Sequence, residues 1–299
     1  MAIFEGSGAA LITPFDENGV NYDAFGKLID YQLKNGSGAL FVLGTTGEPA
    51  TMSRSERDGA VSFAVERAAR RVPVIVGSGC NCTAEAVQNS LRAQELGADG
   101  LLVVTPYYNK CTQNGLYEHY RAVCDAVDIP VIAYNVPTRT NVNINPDTAA
   151  RLSTLKNMTG LKEASGDIDQ LQAVAAAIEN KMDLYIGDDS LTAVAYCLGA
   201  KGVISVAANV VPKVMATLTN LCAKGDFAAA RALQFELIPL MSALFCEVNP
   251  IPVKKAMSLI GLDCGVPRLP LTEAMPAHTE LIAEALEKIS PERRGIKTW

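Results

Sequence analysis

Histidine is nearly missing from this sequence: 299 residues hold two, His119 and His278. That supply is too thin for a His-rich metal centre or a Ser-His-Asp relay, so any chemistry must draw on other groups. Blocks of basic residues are also absent. The 26 lysines and arginines and 32 acids are interspersed, for a net charge of −6, and nothing resembles a stripe that could follow a phosphate backbone or an anionic bilayer. Nucleic acid and membrane are therefore not expected partners. No run reaches the roughly 18 apolar residues of a spanning helix. The start, MAIFEGSGAALITPF, has no basic leader region and carries Glu5 inside its short apolar part, so a cytoplasmic location is expected. Clustered cysteines are lacking too. Eight are scattered at 80, 82, 111, 124, 197, 222, 246 and 264, which fits reduced thiols better than a disulfide framework. Cys80 and Cys82 have no second pair or neighbouring histidine to complete a zinc site, and no metal is expected.

What is present is a long, apolar chain, 49% hydrophobic and 19% charged, enough for one large α/β domain. Eight short β-rich runs can be read at 8–15, 39–48, 73–79, 100–108, 130–137, 159–165, 183–189 and 202–209. Most are continuously apolar, as parallel strands covered on both faces must be, and each ends in Gly, Thr, Pro, Asn, Asp or Ser. Pieces such as RSERDGAVSFAVERAA and TAEAVQNSLRAQELG between them carry apolar residues at helical spacing. Eight βα units, with no GxGxxG after the first strand, predict a (β/α)8 TIM barrel in place of an open doubly wound sheet. Beyond the eighth strand about ninety residues remain, roughly three times what one closing helix needs. The expected division is a barrel over 1–225 and a C-terminal helical extension over 226–299, packed on the barrel.

Barrel sites gather where the strands end and the βα loops begin. The polar residues expected there are Thr45, Thr46, Glu48, Asn81, Tyr107, Tyr108, Tyr134, Arg139, Lys162, Asp188, Asp189 and Ser205. Lys162, in GLKEASGD, alternates with Leu161 and Glu163. If Leu161 faces the helices, the ammonium points into the barrel. There it is either ion-paired, to Glu163 or Asp188, or neutral and nucleophilic. An amine attacking a ketone forms an iminium that acidifies the adjacent carbon, and a nearby group must then move protons. The hydroxyls of Tyr134 and Tyr108 suit that task, and they equally suit a wet barrel rim. The Gly44–Gly47 turn offers backbone N–H groups and two hydroxyls to a carboxylate, and Arg139 offers a guanidinium. The loops after strands 7 and 8 lack the Gly-rich turn of a barrel phosphate site, which favours a carboxylate substrate. Asp188 and Asp189 read as a helix cap before they read as a metal or glycosidase pair.

Six ordered motifs, GTTGE (44–48), TPYYNK (105–110), YNVPTRT (134–140), GLKEASGD (160–167), IGDD (186–189) and NPIPVK (249–254), resemble the dihydrodipicolinate synthase and N-acetylneuraminate lyase family. Its members are class I aldolases on a (β/α)8 barrel, and the similarity spans about residue 3 to about 290. The resemblance implies that Lys162 forms a Schiff base with pyruvate while Thr45 and Thr46 hold its carboxylate. It further implies a proton relay of Tyr134, Thr45 and Tyr108, with Tyr108 entering a neighbouring subunit's site across a tight dimer, and no cofactor. Gly187 and Ile204 would line the pocket through their backbone. Arg139 favours the family branch that condenses pyruvate with L-aspartate 4-semialdehyde on the diaminopimelate route to lysine. The alternative is an aldolase of the same family acting on a sialic acid or 2-keto-3-deoxy sugar acid. The family pattern suggests a homotetramer of two tight dimers, or a homodimer. Ala50, Asn81, Glu85 and Tyr107 match the lysine effector site of feedback-inhibited members. Pro49, Arg54 and Arg57 depart from it, so weak or absent inhibition by lysine is expected.

Overall fold

The computed structural model describes residues 2–295; Met1 and residues 296–299, the outer ends of the two expected units, lie outside the described residues. Eight strands form the barrel: β1 (Gly6–Ala10), β2 (Ala39–Val42), β3 (Val74–Gly77), β4 (Gly100–Val104), β5 (Val131–Asn135), β6 (Met158–Glu163), β7 (Asp183–Ile186) and β8 (Gly202–Ser205). All neighbouring pairs are parallel, and β1 pairs with both β2 and β8, which closes the barrel. A two-stranded ribbon, Phe15–Asp16 with Gly19–Val20, precedes the first long helix at Tyr22–Lys34.

Strand alternation sorts the core into two shells. Leu40, Val42, Val74, Val76, Leu101, Val103, Val131, Ala133, Leu161 and Leu184 face the helices in the larger cluster. Phe41, Ile75, Leu102, Ile132, Tyr134, Tyr185 and Ile204 fill the barrel. Aromatic rings seal its N-terminal end. Phe4 stacks on Tyr185 with centroids 4.5 Å apart and meets Phe41 edge-on at 5.4 Å. The Tyr185 hydroxyl donates to the Phe4 carbonyl at 3.0 Å. Gly8 and Gly160 make room for this floor, since a Cβ would fall 2.6 Å from the Phe41 ring and 2.8 Å from the Tyr185 ring. With one end plugged by apolar rings, the polar strand ends at the other are left to form a site.

The strand count agrees with the sequence pattern, whereas the expected strand ends run too long. Thr45–Gly47, Pro137–Thr140, Asp189–Leu191 and Ala207–Asn209 are short helical turns, not strand. Small and polar residues there close i→i+3 bonds locally, such as Gly47 N–H to the Gly44 carbonyl at 2.8 Å and Asn209 N–H to Val206 at 3.1 Å. Two of these turns carry Thr45 and Arg139 to the cavity at the mouth, while Asp189 and Asn209 turn inward and bond neighbouring backbone.

After the barrel's last helix, Pro212–Ala223, the chain turns at Lys224–Asp226 into helices Phe227–Ala243, Ile251–Leu259 and Pro276–Glu287 and a short one at Pro291–Arg294. The segment before Ile251–Leu259 returns to the mouth of the barrel, where Asn249 bonds Thr46.

Candidate active site

Lys162 lies inside the barrel, paired in register with Tyr134 on one side and Tyr185 on the other. It is 5% exposed, and its Nζ sits 4.2 Å from the centre of the Tyr134 ring. Burial lowers its pKa to about 7, and the positive charge of Arg139 acts in the same direction against the opposing charge of Asp189. At pH 7 roughly half of the amine is therefore uncharged and able to act as a nucleophile, where an ordinary lysine would be almost wholly protonated. Gly187 gives its stem space: a Cβ there would be 2.5 Å from Lys162 Cε. Gly187→Ala is expected to push the lysine off line and lower kcat/KM by about 10²-fold, as misplacements of an ångström do. Steady-state kinetics on a variant with unchanged thermal stability checks this.

Neither acid considered as a partner for Lys162 fills that role. Glu163 faces outward, fully buried, accepting from Asn135 Nδ2 at 2.9 Å and from Ser165 N–H at 2.7 Å. Asp188 accepts from Ser190 N–H at 3.1 Å and is a cap. Asp189, read from the sequence as a second cap residue, is different. It is 1% exposed, and its Oδ2 accepts from the N–H groups of Val206 at 3.1 Å and Ala207 at 2.9 Å, tying the turns after β7 and β8 together. Burial raises its pKa to about 6, moderated by hydrogen bonds from Ser205 and these amides. A DD pair ahead of a helix carries no signal that separates a cap from a buried acid.

The turn after β2 places Thr45 on the wall of the same cavity as Tyr134. Burial raises the Tyr134 pKa, while Arg139 and Thr45 act to lower it. Thr46 is buried and accepts from Asn249 Nδ2 at 2.9 Å, and the Asn249 carbonyl accepts from Arg139 at 3.3 Å. Asn249 thus holds two of the carboxylate-binding candidates, Thr46 and Arg139. Sequence reasoning placed it in a motif without giving it a role. Ile204 is fully buried, with its side chain in the barrel interior.

A cavity of about 790 Å³ opens at this end, lined by Thr45, Tyr134 and Arg139 and continuing past Pro49, Ala50, Arg54, Arg57, Glu85 and Tyr107. Three of the four effector candidates, Ala50, Glu85 and Tyr107, therefore share one cleft with the barrel mouth. Asn81 stands beside it as an acceptor of Asn109 Nδ2 at 3.0 Å. Tyr108 is not in the cavity: it is 88% exposed, on the loop after β4, with φ +75°. Its own fold does not bring it to Lys162. Both histidines are elsewhere, His119 buried against Thr83 at 3.0 Å and His278 paired with Glu247 at 2.8 Å. Among the described residues no group of three His, Cys, Asp or Glu side chains could hold a metal, and no helix is long and apolar enough to cross a membrane.

The model of the dihydrodipicolinate synthetase family matches residues 3–289. A curated relative, the 4-hydroxy-tetrahydrodipicolinate synthase of Lachnoclostridium phytofermentans, is 47% identical over 292 residues, covering 97% of this chain and 99% of its own. The crystal structure of dihydrodipicolinate synthase from Thermotoga maritima matches with a TM-score of 0.94 at 43% identity, over 96% of this chain and 99% of that one. The chloride-inhibited dihydrodipicolinate synthase of Acinetobacter baumannii, complexed with pyruvate, matches with a TM-score of 0.93 at 40% identity, over 98% of this chain and 99% of that one. Identity at this level, sustained across nearly the full length of each chain and around a barrel whose mouth holds the expected lysine, means that the chain belongs to the dihydrodipicolinate synthetase family.

Proposed function

We propose that this chain condenses pyruvate with L-aspartate 4-semialdehyde to give 4-hydroxy-tetrahydrodipicolinate, on the diaminopimelate route to lysine. The observation that carries the reading is a buried lysine with a pKa lowered to about 7, packed on Tyr134 beneath the threonine turn. The amine of Lys162 attacks the C2 ketone of pyruvate, water leaves, and an iminium forms whose C3 protons are acidic. Tyr134, relayed through Thr45, accepts a C3 proton to give the enamine, which attacks the aldehyde carbon and leaves a hydroxyl there. The amino group of the former semialdehyde then adds to C2, Lys162 departs as the free amine, and a six-membered ring closes. Thr45 and Thr46 hold the pyruvate carboxylate, with Gly187 and Ile204 shaping the pocket. Arg139 takes the carboxylate of the semialdehyde, which a polyhydroxylated sugar acid would not present at that point.

In this reading Tyr108 completes the relay from a second copy of the chain, in a homodimer or a tetramer of two such dimers. Its 88% exposure on a loop outside its own cavity supports a role in trans. A cytoplasmic location fits a biosynthetic enzyme with free thiols. The test is mass spectrometry after pyruvate and borohydride, in which a reduced pyruvyl adduct on Lys162 is expected, followed by turnover of added semialdehyde in a coupled assay. No adduct, or cleavage of sugar acids in preference to semialdehyde condensation, would sink the reading.

Feedback is expected to be weak. Arg54 and Arg57 line the cleft beside Glu85, and a cationic amino acid there meets two permanent cations, each costing about 1 kcal/mol at contact in water and more where desolvated. Activity should persist in millimolar lysine, and strong inhibition in that assay would count against this account of the cleft.

A further inference from the structure

Two charged residues in the family motifs have no part in the chemistry above: Glu48, the last residue of GTTGE, and Lys254, the last of NPIPVK. They meet each other. Lys254 Nζ is 2.6 Å from Glu48 Oε1, and the two side chains are 1% and 2% exposed. Glu48 Oε2 also accepts from the Arg268 N–H at 2.9 Å. Both cations pack on the aromatic ring of Phe15, with Lys254 Nζ 4.3 Å and the Arg268 guanidinium 4.0 Å from its centre. Arg268 reaches on to the Thr51 carbonyl at 3.2 Å and to Glu56 at 2.5 Å.

The place of this pair matters more than its strength. A buried ion pair contributes little net stability, because desolvating two charges offsets most of their attraction, yet breaking it strands a charge, so the two partners stay together. Glu48 has φ +56°, a left-handed conformation that a non-glycine residue holds only under constraint, and it directly follows the turn that carries Thr45 and Thr46. That turn is gripped from two directions. Thr13, after β1, donates to the Gly47 carbonyl at 2.7 Å, and the C-terminal extension supplies Asn249 on Thr46 and Lys254 and Arg268 on Glu48.

We infer that the C-terminal extension is a working part of the active site, and that the Glu48–Lys254 ion pair is the positioning contact through which it holds the Thr45–Thr46 turn in its pyruvate-binding shape. The inference rests on the proposed pyruvate chemistry and adds a role for residues that touch no substrate. Single neutralisations strand the partner charge in the interior and can unfold the protein. The informative variant is therefore the double one, Glu48→Gln with Lys254→Met, which buries no unpaired charge. If the pair only stabilises, a folded double variant keeps wild-type kinetics. If the pair positions the turn, KM for pyruvate rises about tenfold and borohydride trapping at Lys162 slows, since small displacements of binding groups carry such costs. KM for the semialdehyde, which is held by Arg139, stays within about twofold, the split that separates a local loss from a general one. Lys254→Arg, which keeps the charge, restores most of the pyruvate affinity. Wild-type pyruvate KM in the folded double variant, or equal rises for both substrates, overturns the inference alone. A wild-type protein that fails to trap pyruvate overturns the functional reading and the inference with it.

Discussion

Lys162→Met is expected to abolish both pyruvate trapping and turnover while making the protein more stable. Loss of activity follows from chemistry: methionine fills the same space but has no nitrogen to form the iminium, and the other buried lysine among the described residues, Lys254, is paired with Glu48. The gain in stability follows from linkage. The pKa of Lys162 falls from an ordinary 10.5 to about 7 on folding, chiefly through burial. Between those values the unfolded chain holds a proton that the folded protein does not, so the wild-type protein gains stability as pH rises across the window. Below about pH 7 the full penalty of burying the charge remains, about 5 kcal/mol, and at pH values above about 10.5 it vanishes. Methionine carries no such penalty. Urea denaturation at pH 7 and at pH 10 should therefore show the variant stabilised at both, and by clearly more at pH 7. A variant less stable than wild type at pH 7 would mean that Lys162 is held as a satisfied cation, and the case for a neutral nucleophile would fail.

What the sequence revealed, and what it hid, follows from the range of the interactions. Most of the eight runs are continuously apolar, as buried parallel strands are, and strand alternation alone turns Lys162 inward once Leu161 is assigned to the helical shell. Those are local rules. The strands end earlier than their apolar runs because Thr45–Gly47 and Ala207–Asn209 fold into tight turns that apolar periodicity does not distinguish from continued strand. Asp189 reads as a cap in the sequence because its partners, Val206 and Ala207, lie on the next βα unit. The roles of Asn249 and Lys254 were hidden for the same reason, more severely: each acts on a turn about two hundred residues earlier in the chain. Motif membership pointed to these residues and could not say what they touch. Tyr108 is the extreme case, since an 88% exposed side chain has no partner in its own cavity, and its proposed place depends on a second copy.

Arg139→Ala should separate the two substrates. Arg139 lies in the short helix Pro137–Thr140 after β5, lines the cavity and is steadied by the Asn249 carbonyl at 3.3 Å. A guanidinium so placed can meet a carboxylate with two parallel hydrogen bonds, and losing such a pair costs about 2–5 kcal/mol, or roughly 30-fold to several thousandfold. The expected result is a rise in KM for the semialdehyde of about 10²-fold or more, with KM for pyruvate little changed. A second effect follows from the same charge. Arg139 lowers the pKa of both Lys162 and Tyr134, so its removal raises both. The ascending limb of kcat/KM for pyruvate, governed by deprotonation of Lys162, should then move to higher pH in the variant. Lysine at position 139 keeps the charge but loses the bidentate fork. Arg139→Lys should therefore restore the pH profile while leaving semialdehyde binding impaired. If Arg139→Ala weakens both substrates equally, the residue is holding the mouth of the barrel together through Asn249, and its part in recognising the aldehyde's carboxylate is refuted.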